Sequence, residues 1–248
     1  MTPSPIRKVL SSMRTRGVHC LLMGGQACVF YGAAEFSRDT DLALLSSSDN
    51  LECFRTALAD LDAECIALPP FQAEYLLRGH AVHFRCHHPD AAGMRIDVMS
   101  VMRGVEPFEV LWARRTTIQA ASGDEFDLLS LGDLVQAKKT QRDKDWPMLR
   151  RLVEADYLQN RTRPTPAHLE FWLKELRTPV LLVELAITQP GLASGVARAR
   201  PSVACAAAGN LVAVESALAA EEAAEREVDR RYWQPLRAEL EALRRRQP

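Results

Sequence analysis

The sequence predicts an α+β (α/β) fold, in which a mixed β-sheet with flanking helices is followed by an all-helical C-terminal region. Short apolar runs of strand length alternate with helix-sized segments over residues 1–129. The pattern turns helical from residue 130, and Ala, Leu, Glu and Arg are frequent in residues 206–246, where they favour helix. A chain of 248 residues can bury a sizeable core, as one large domain or two small ones.

Capping and turn residues delimit the elements. Ser4 is a helix cap with Pro5 at the first helical position, and Gly17 ends that helix. The apolar patterns predict strands at residues 18–23, 39–45, 64–68 (an edge strand), 80–86, 94–101, 116–119 and 125–129. They predict helices at residues 26–31, 51–61, 108–113, 131–139 and 145–157, with a further short helix running to residue 78. A Pro- and Gly-containing turn at residues 89–93 predicts that the flanking strands form a hairpin.

Composition shifts divide the chain into three regions. Residues 1–129 form the predicted sheet domain, residues 130–160 a helical extension that completes its cleft, and residues 161–248 a helical C-terminal region. The segment 161–166 is a candidate linker because it combines two prolines with Thr and Arg. One very long helix is predicted within residues 206–246, with Pro235 as the place where it could be interrupted.

The most informative motif is an apolar run that ends in Gly24-Gly25 and is followed by Asp39 and Asp41. A strand has a period of two, so both carboxylates project from the same face. Adjacent carboxylates repel each other, and Mg²⁺ is a cation that such pairs bind together with substrate phosphates. Backbone N–H groups of the glycine pair, at a helix start, favour phosphate. The motif therefore indicates nucleotide chemistry.

Asp97 lies in the middle of a strand that is otherwise mostly apolar. An acid at such a position is costly unless it is paired or bound to a metal. Together with the glycine pair and the Asp-x-Asp motif, Asp97 resembles the nucleotidyltransferase superfamily that includes DNA polymerase beta. The similarity is greatest to its minimal members, the aminoglycoside nucleotidyltransferases and the toxin-like nucleotidyltransferases of abortive infection, and it covers roughly residues 5–155.

The resemblance implies a metal-dependent enzyme that moves a nucleoside monophosphate from an NTP to an acceptor, which is a small molecule, a protein or an RNA. It implies that Asp39, Asp41 and Asp97 are catalytic and hold two Mg²⁺ ions, with Asp97 also a candidate base for the acceptor. Ser37 fits the hydroxyl position ahead of the pair, whereas Glu35 stands where these proteins commonly carry a basic residue. The residues expected to bind the nucleotide are Gly24, Gly25, Ser37, Lys138 and Lys139.

The two lysines belong to a charged cluster at residues 138–145 that has two interpretations. In the first, the cations complement a helix end and Asp145 caps the next helix or pairs with Arg142. In the second, the cluster is similar to a Lys-rich segment that follows the catalytic domain in toxin-like members, which implies that Lys138 or Lys139 contacts the triphosphate. The sequence leaves both open.

A zinc site is not predicted, although His83, Cys86, His87 and His88 lie close together in the sequence. No second pair of ligands occurs elsewhere at zinc-like spacing. We expect instead a hairpin beside the active cleft, with His83 or Arg85 near the substrate. The four tryptophans are interpreted as packing anchors.

Composition limits the partners and the compartment. The net charge of −1 gives no support for nucleic-acid binding, although local patches stay possible. No apolar run reaches 18 residues and no signal peptide is recognised, so no membrane span is expected. Six scattered cysteines without a CxxC pair are typical of a reduced, cytoplasmic protein.

Two other functions compete with the enzyme hypothesis. The chain could be a toxin–antitoxin component or dimeric scaffold, in which the C-terminal helices bind an antitoxin or a second copy. It could also be a non-catalytic nucleotide-binding module, but retention of all three carboxylates argues against that. An exposed apolar stripe on the C-terminal helix would favour the scaffold.

Overall fold

The structure, a computed structural model, describes residues 4–35, 37–119 and 123–246. It confirms the predicted α+β class, with a seven-stranded mixed sheet, flanking helices and a long helical region after the sheet. Its strands are β1 Cys20–Met23, β2 Asp39–Leu44, β3 Ala63–Cys65, β4 Val82–Cys86, β5 Arg95–Met99, β6 Thr116–Gln119 and β7 Glu125–Leu128.

Twelve α-helices and one short 3₁₀ turn, Pro89–Ala91, are found among the described residues. The helices are α1 Ser4–Thr15, α2 Gly24–Phe30, α3 Ser48–Asp60, α4 Ala73–Arg78, α5 Phe108–Ala113, α6 Leu131–Ala137, α7 Asp145–Asn160, α8 Pro166–Glu175, α9 Pro179–Thr188, α10 Pro190–Ala197, α11 Pro201–Ala207 and α12 Leu211–Arg246. The helix α12 continues through Pro235 without a break.

The strand order β3-β4-β5-β2-β1-β7-β6 places β2 and β5 at the centre of the sheet. These two strands are parallel, whereas β1 pairs with β2, and β4 with β5, in the antiparallel sense. The predicted hairpin of β4 and β5 is therefore confirmed, and β3 lies at the edge as predicted.

Alternation along the central strands separates a buried face from a polar face. In β5, Ile96 and Val98 are fully buried, whereas Asp97 between them is only half-buried. Phe84 of β4 lies on the buried face and packs edge-on against Phe54 of α3, with ring centroids 5.7 Å apart. Burial of such aromatic side chains dominates the energetics of a core. The apolar face thereby fixes the register that sets out the polar face.

The chain divides into two compact units. The first comprises residues 1–30, 34–137 and 232–248 and contains the whole sheet. The second comprises residues 31–33 and 138–231 and is helical. The main boundary lies between Ala137 and Lys138, within the segment 130–160 that the sequence set apart.

Within the described ranges, no single helix is long and apolar enough to cross a membrane. The helices α9 and α10 reach that length and hydropathy only when taken together, and they are bent by 116° relative to each other.

Candidate active site on the polar face of the sheet

The turn from β1 to α2 is formed by the glycine pair, and its first member has no room for a side chain. Gly24 has a φ of +66°, which L-residues with a side chain rarely adopt. A Cβ atom there would also lie 1.8 Å from Oδ2 of Asp41. Glycine is therefore required both by the backbone conformation and by the close approach of a carboxylate.

The second glycine contacts two of the predicted site residues. The backbone N–H of Gly25 donates to Oδ2 of Asp41 at 3.3 Å. A Cβ atom at Gly25 would lie 2.8 Å from the hydroxyl oxygen of Ser37, which itself donates to the carbonyl of Asp39 at 3.2 Å. The structure thus brings together the glycine pair, Ser37 and the Asp-x-Asp motif at one end of the central strands.

The three predicted carboxylates share one face of the sheet. In the parallel ladder, Asp41 is the direct neighbour of Asp97, and Asp39 is the neighbour of Arg95. Laterally paired residues point to the same face, and so do residues two apart along a strand. Asp39 and Asp41 therefore share the polar face, as the alternation predicted, and the parallel ladder places Asp97 on that face as well.

Asp97 is held by two donors from its own hairpin. Nε of Arg95 lies 2.7 Å and Nδ1 of His83 lies 2.8 Å from Oδ1 of Asp97, whose side chain is 17% exposed. Burial alone would raise the pKa of Asp97, but the hydrogen bonds from His83 and Arg95 outweigh it and lower the pKa below its ordinary value. Asp97 is therefore held as an anion.

His83 donates rather than accepts in this cluster. Its Nδ1 also lies 3.1 Å from Nη2 of Arg95, which can only donate. One ring nitrogen cannot serve both neighbours, and the shorter contact to the ionised carboxylate of Asp97 determines the tautomer. His83 therefore carries its proton on Nδ1 and orients Asp97.

Arg95 is the counter-cation of the whole acidic face. A hydrogen bond to Asp97 is the main cause of its raised pKa, and the charges of Asp39 and Asp41 act in the same direction. Sequence reasoning missed this residue, although its position two before Asp97 already placed it on the same face. The sequence also suggested that Arg85 lies near the substrate. The register pairs Arg85 with Arg95, which places both on the polar face of the sheet.

The donor chemistry of this face fits Mg²⁺, because it offers carboxylate oxygens around a glycine turn. Within the described ranges, however, no group of three or more His, Cys, Asp or Glu is arranged closely enough to hold a metal ion. The guanidinium of Arg95 is bound to Asp97. Arg95 and His83 both contact Oδ1 of Asp97, the oxygen for which a metal would compete with Arg95.

The histidines of the hairpin have separate partners rather than a common centre. Nε2 of His87 lies 3.0 Å from Glu64, and Nδ1 of His88 accepts from the backbone N–H of Asp90 at 3.1 Å. Cys86 is buried on the opposite face from His83. These contacts give no structural support for a zinc site among the described residues.

The two predicted phosphate-binding lysines form ion pairs within the helical unit. Nζ of Lys138 lies 3.1 Å from Asp145, and Nζ of Lys139 lies 2.9 Å from Glu175. Asp145 is buried and also accepts from Arg142 at 2.7 Å, as one interpretation of the cluster proposed. Burial alone would raise the pKa of Asp145, but the charge of Lys138 and the other donors lower it overall.

Three large apolar side chains are exposed on α12, namely Leu211, Val212 and Val228. The first two lie in its first turn, and Val228 lies about 24 Å further along the helix axis at 1.5 Å per residue. They do not form the continuous stripe that would favour a scaffold.

Comparisons with known proteins give no assignment. No protein-family model matches the chain. No curated protein matches it either.

Proposed function

We propose that this protein is a Mg²⁺-dependent nucleotidyltransferase that moves a nucleoside monophosphate from an NTP to an acceptor hydroxyl. The observation that carries the proposal is the register of β2 and β5, which sets Asp41 beside Asp97 with Asp39 on the same face. The glycine turn adds support, because it packs against Asp41 and Ser37 so closely that side chains are excluded.

Asp39, Asp41 and Asp97 would hold Mg²⁺ on this face. Bound there, the metal would neutralise phosphate charge and lower the pKa of the acceptor hydroxyl. Catalysis of nucleotidyl transfer depends mainly on such positioning and charge stabilisation rather than on covalent protein chemistry. The glycine turn would approach the phosphates through its backbone, since the N–H of Gly25 is already directed at a carboxylate oxygen of Asp41.

Asp97 is the candidate proton acceptor for the attacking hydroxyl. In the structure its pKa is lowered by His83 and Arg95, which makes it a weak base. Release of Arg95 would remove one of these donors and raise the basicity of Asp97. His83, whose Nδ1 lies 2.8 Å from the carboxylate, would keep it oriented.

The test is transfer of label from each α-³²P-labelled NTP, in the presence of Mg²⁺ and cell extract, with purified protein. We expect a labelled product that disappears on chelation of the metal and in Asp41→Asn. Tight NTP binding without any labelled product would instead support the non-catalytic module. Equal labelling by wild type and Asp41→Asn would contradict the proposed site.

A further inference from the structure

The helical unit contains a cavity of about 710 Å³ between α7, α9 and α12. This volume lies in the usual range of small-molecule sites, roughly 300–1,000 Å³. Much of its wall is apolar, with Pro147, Pro179, Leu218 and Ala219 contributing. The cavity is built entirely from residues of the second unit and includes none of the residues assigned to the acidic face.

One buried cation on the cavity wall lacks a full set of partners. The side chain of Arg177 is only 9% exposed, and its Nε has no hydrogen-bond partner among the described residues. Its guanidinium lies 4.6 Å from the ring centroid of Trp146. A buried polar group of this kind is uncommon in folded proteins and requires an explanation.

The nearest carboxylate is already engaged by another arginine. Glu221 lies 3.7 Å from Nη1 of Arg177 but accepts at 3.2 Å from Arg200, and it also accepts from Ser202. Burial first, and then repulsion from Arg200, lower the pKa of Arg177 despite the charges of Glu221, Glu175 and Glu222. Arg177 therefore has carboxylate charge in its surroundings, but its buried Nε has no close acceptor among the described residues.

Most other charges on the wall compensate one another. Nε of Arg150 lies 2.8 Å from Glu154, and Nη2 of Arg226 lies 2.7 Å from Glu222. Arg226 also pairs with Asp143. These two arginines and three carboxylates leave one net negative charge at their part of the wall.

The two remaining wall charges, Arg151 and Glu215, are exposed and opposite in sign. The lining carries four arginines and four carboxylates, so its formal charges balance. What distinguishes Arg177 is local: its buried Nε lacks a hydrogen-bond partner among the described residues. A guanidinium binds carboxylate or phosphate oxygens through its parallel N–H groups, and such charge-assisted bonds are the strong ones.

We propose that this cavity binds a small molecule that carries one oxyanion, carboxylate or phosphate, on an apolar body. The oxyanion would bind Arg177, and the body would pack against Pro147, Pro179 and Leu218. An oxyanion at Arg177 would supply the hydrogen-bond acceptor that its buried Nε lacks. The site is separate from the proposed nucleotidyltransferase site and does not depend on it.

The test uses full-length protein without added metal, titrated calorimetrically with benzoate, phenyl phosphate and inorganic phosphate. At least one aryl anion is expected to bind with a Kd below about 10 mM, the affinity that typical ligand efficiency gives for about nine heavy atoms. Arg177→Gln should weaken that binding by about tenfold or more. The matched control Arg163→Gln, an exposed arginine of the same unit, should leave it within about twofold.

A second variant acts through shape rather than charge. Ala219→Phe places a ring in the cavity from an exposed helix position and leaves Arg177 intact, so it remains informative if Arg177→Gln fails to fold. It should abolish binding of both aryl anions. Asp41→Asn should leave aryl-anion binding unchanged, which separates this result from the fate of the proposed enzyme activity.

Several outcomes would overturn the inference. They are absence of aryl-anion binding to the wild type, or wild-type affinity in a folded Arg177→Gln or Ala219→Phe variant. Inorganic phosphate that binds as tightly as phenyl phosphate would overturn the role given to the apolar wall. Preference for benzoate or for phenyl phosphate identifies which oxyanion the site takes.

Discussion

At the scale of single residues, the acidic face is stabilised by one backbone group of the sequence motif and by two side chains outside it. Asp41 accepts from the backbone of Gly25, and Asp97 accepts from His83 and Arg95. Both carboxylates are therefore partnered before any ligand binds. This arrangement reduces the repulsion that neighbouring acids would otherwise impose on the folded state.

Gly24 gives the first residue-scale prediction. Gly24→Ala should lower the free energy of unfolding by about 2–4 kcal/mol, because it combines a left-handed backbone with displacement of the Asp41 carboxylate. The control is Gly93→Ala, which has a φ of +76° but no atom within 4 Å of the added methyl group. It should cost only the backbone term, about 1–2 kcal/mol.

Urea unfolding of both variants measures this difference. Pairing Gly24→Ala with Asp41→Ala should recover part of the loss, since the truncated side chain no longer meets the methyl group. Equal losses in the two single variants would show that Asp41 does not approach Gly24 as the structure places it.

At the scale of elements, the charged cluster at residues 138–145 fixes the start of α7. Asp145 is buried in the first turn of this helix and accepts from Lys138 at 3.1 Å, Thr140 at 2.6 Å and Arg142 at 2.7 Å. Trp146 donates from its indole nitrogen to the carbonyl of Thr140 at 2.8 Å. These bonds tie the preceding loop to the helix and give Lys138 and Arg142 structural roles.

The lowered pKa of Asp145 predicts a pH dependence of stability. Its contribution is fully present above the unfolded-state pKa of about 3.9 and is lost as the pH falls from there through the lower folded-state pKa. Asp145→Asn should therefore reduce the acid-dependent loss of stability below about pH 4. Asp143→Asn, at a carboxylate that is 96% exposed, is the matched control. The measurement is urea unfolding from about pH 3 to pH 6, which gives the slope of the unfolding free energy against pH. The wild-type slope in both variants would contradict the prediction.

Lys138 separates a structural role from a phosphate-binding role. Lys138→Met should lower the free energy of unfolding by about 1–3 kcal/mol, because buried Asp145 loses one of its donors. NTP affinity should stay unchanged. The exposed neighbour Lys144, replaced by Met, should change stability by less than about 0.5 kcal/mol. Weaker NTP binding in Lys138→Met, with stability preserved, would assign this lysine to the triphosphate instead.

At the scale of the whole molecule, local patterns predicted most of the fold. Alternation and turn residues predicted all seven strands and the hairpin, because these signals reside in a few neighbouring residues. The same alternation predicted that Asp39 and Asp41 share a face. The neighbourhood of Asp41 and Asp97 follows from the parallel ladder, which only the packing of the opposite, apolar face determines.

The structural features that the sequence did not predict depend on contacts between distant segments. The last part of α12, from Tyr232 onward, belongs to the sheet-containing unit, where Glu239 lies 2.7 Å from buried His80. A continuous helical pattern contains no sign of that change of unit. The ion pair of Lys139 with Glu175, 36 residues later, likewise requires knowledge of which partner the fold brings near. The pairings of Arg95 with Asp97 and of Lys138 with Asp145 are local in the sequence.

Binding of Mg-NTP should be detectable as a rise in the thermal stability of the whole chain. A ligand that binds only the folded state stabilises it by about 2.7 kcal/mol at a concentration 100 times its Kd. Mg²⁺ with the preferred NTP should therefore raise the melting temperature of the wild type and have no effect on Asp41→Asn. Without ligand, Asp41→Asn should be as stable as the wild type or slightly more stable. The amide oxygen can still accept from Gly25, and one of three neighbouring charges is removed.

The matched control is Asp62→Asn, an exposed acid of the same unit whose φ of +47° asparagine tolerates. It should keep the full Mg-NTP shift, which excludes a general effect of net charge. A large loss of stability in ligand-free Asp41→Asn would mean that the contact between Asp41 and the glycine turn is primarily structural. A Mg-NTP shift retained in Asp41→Asn would mean that the nucleotide binds elsewhere. In the described sheet, Asp41 is the β2 residue that pairs with Asp97 on the acidic face, so the proposed site depends on it.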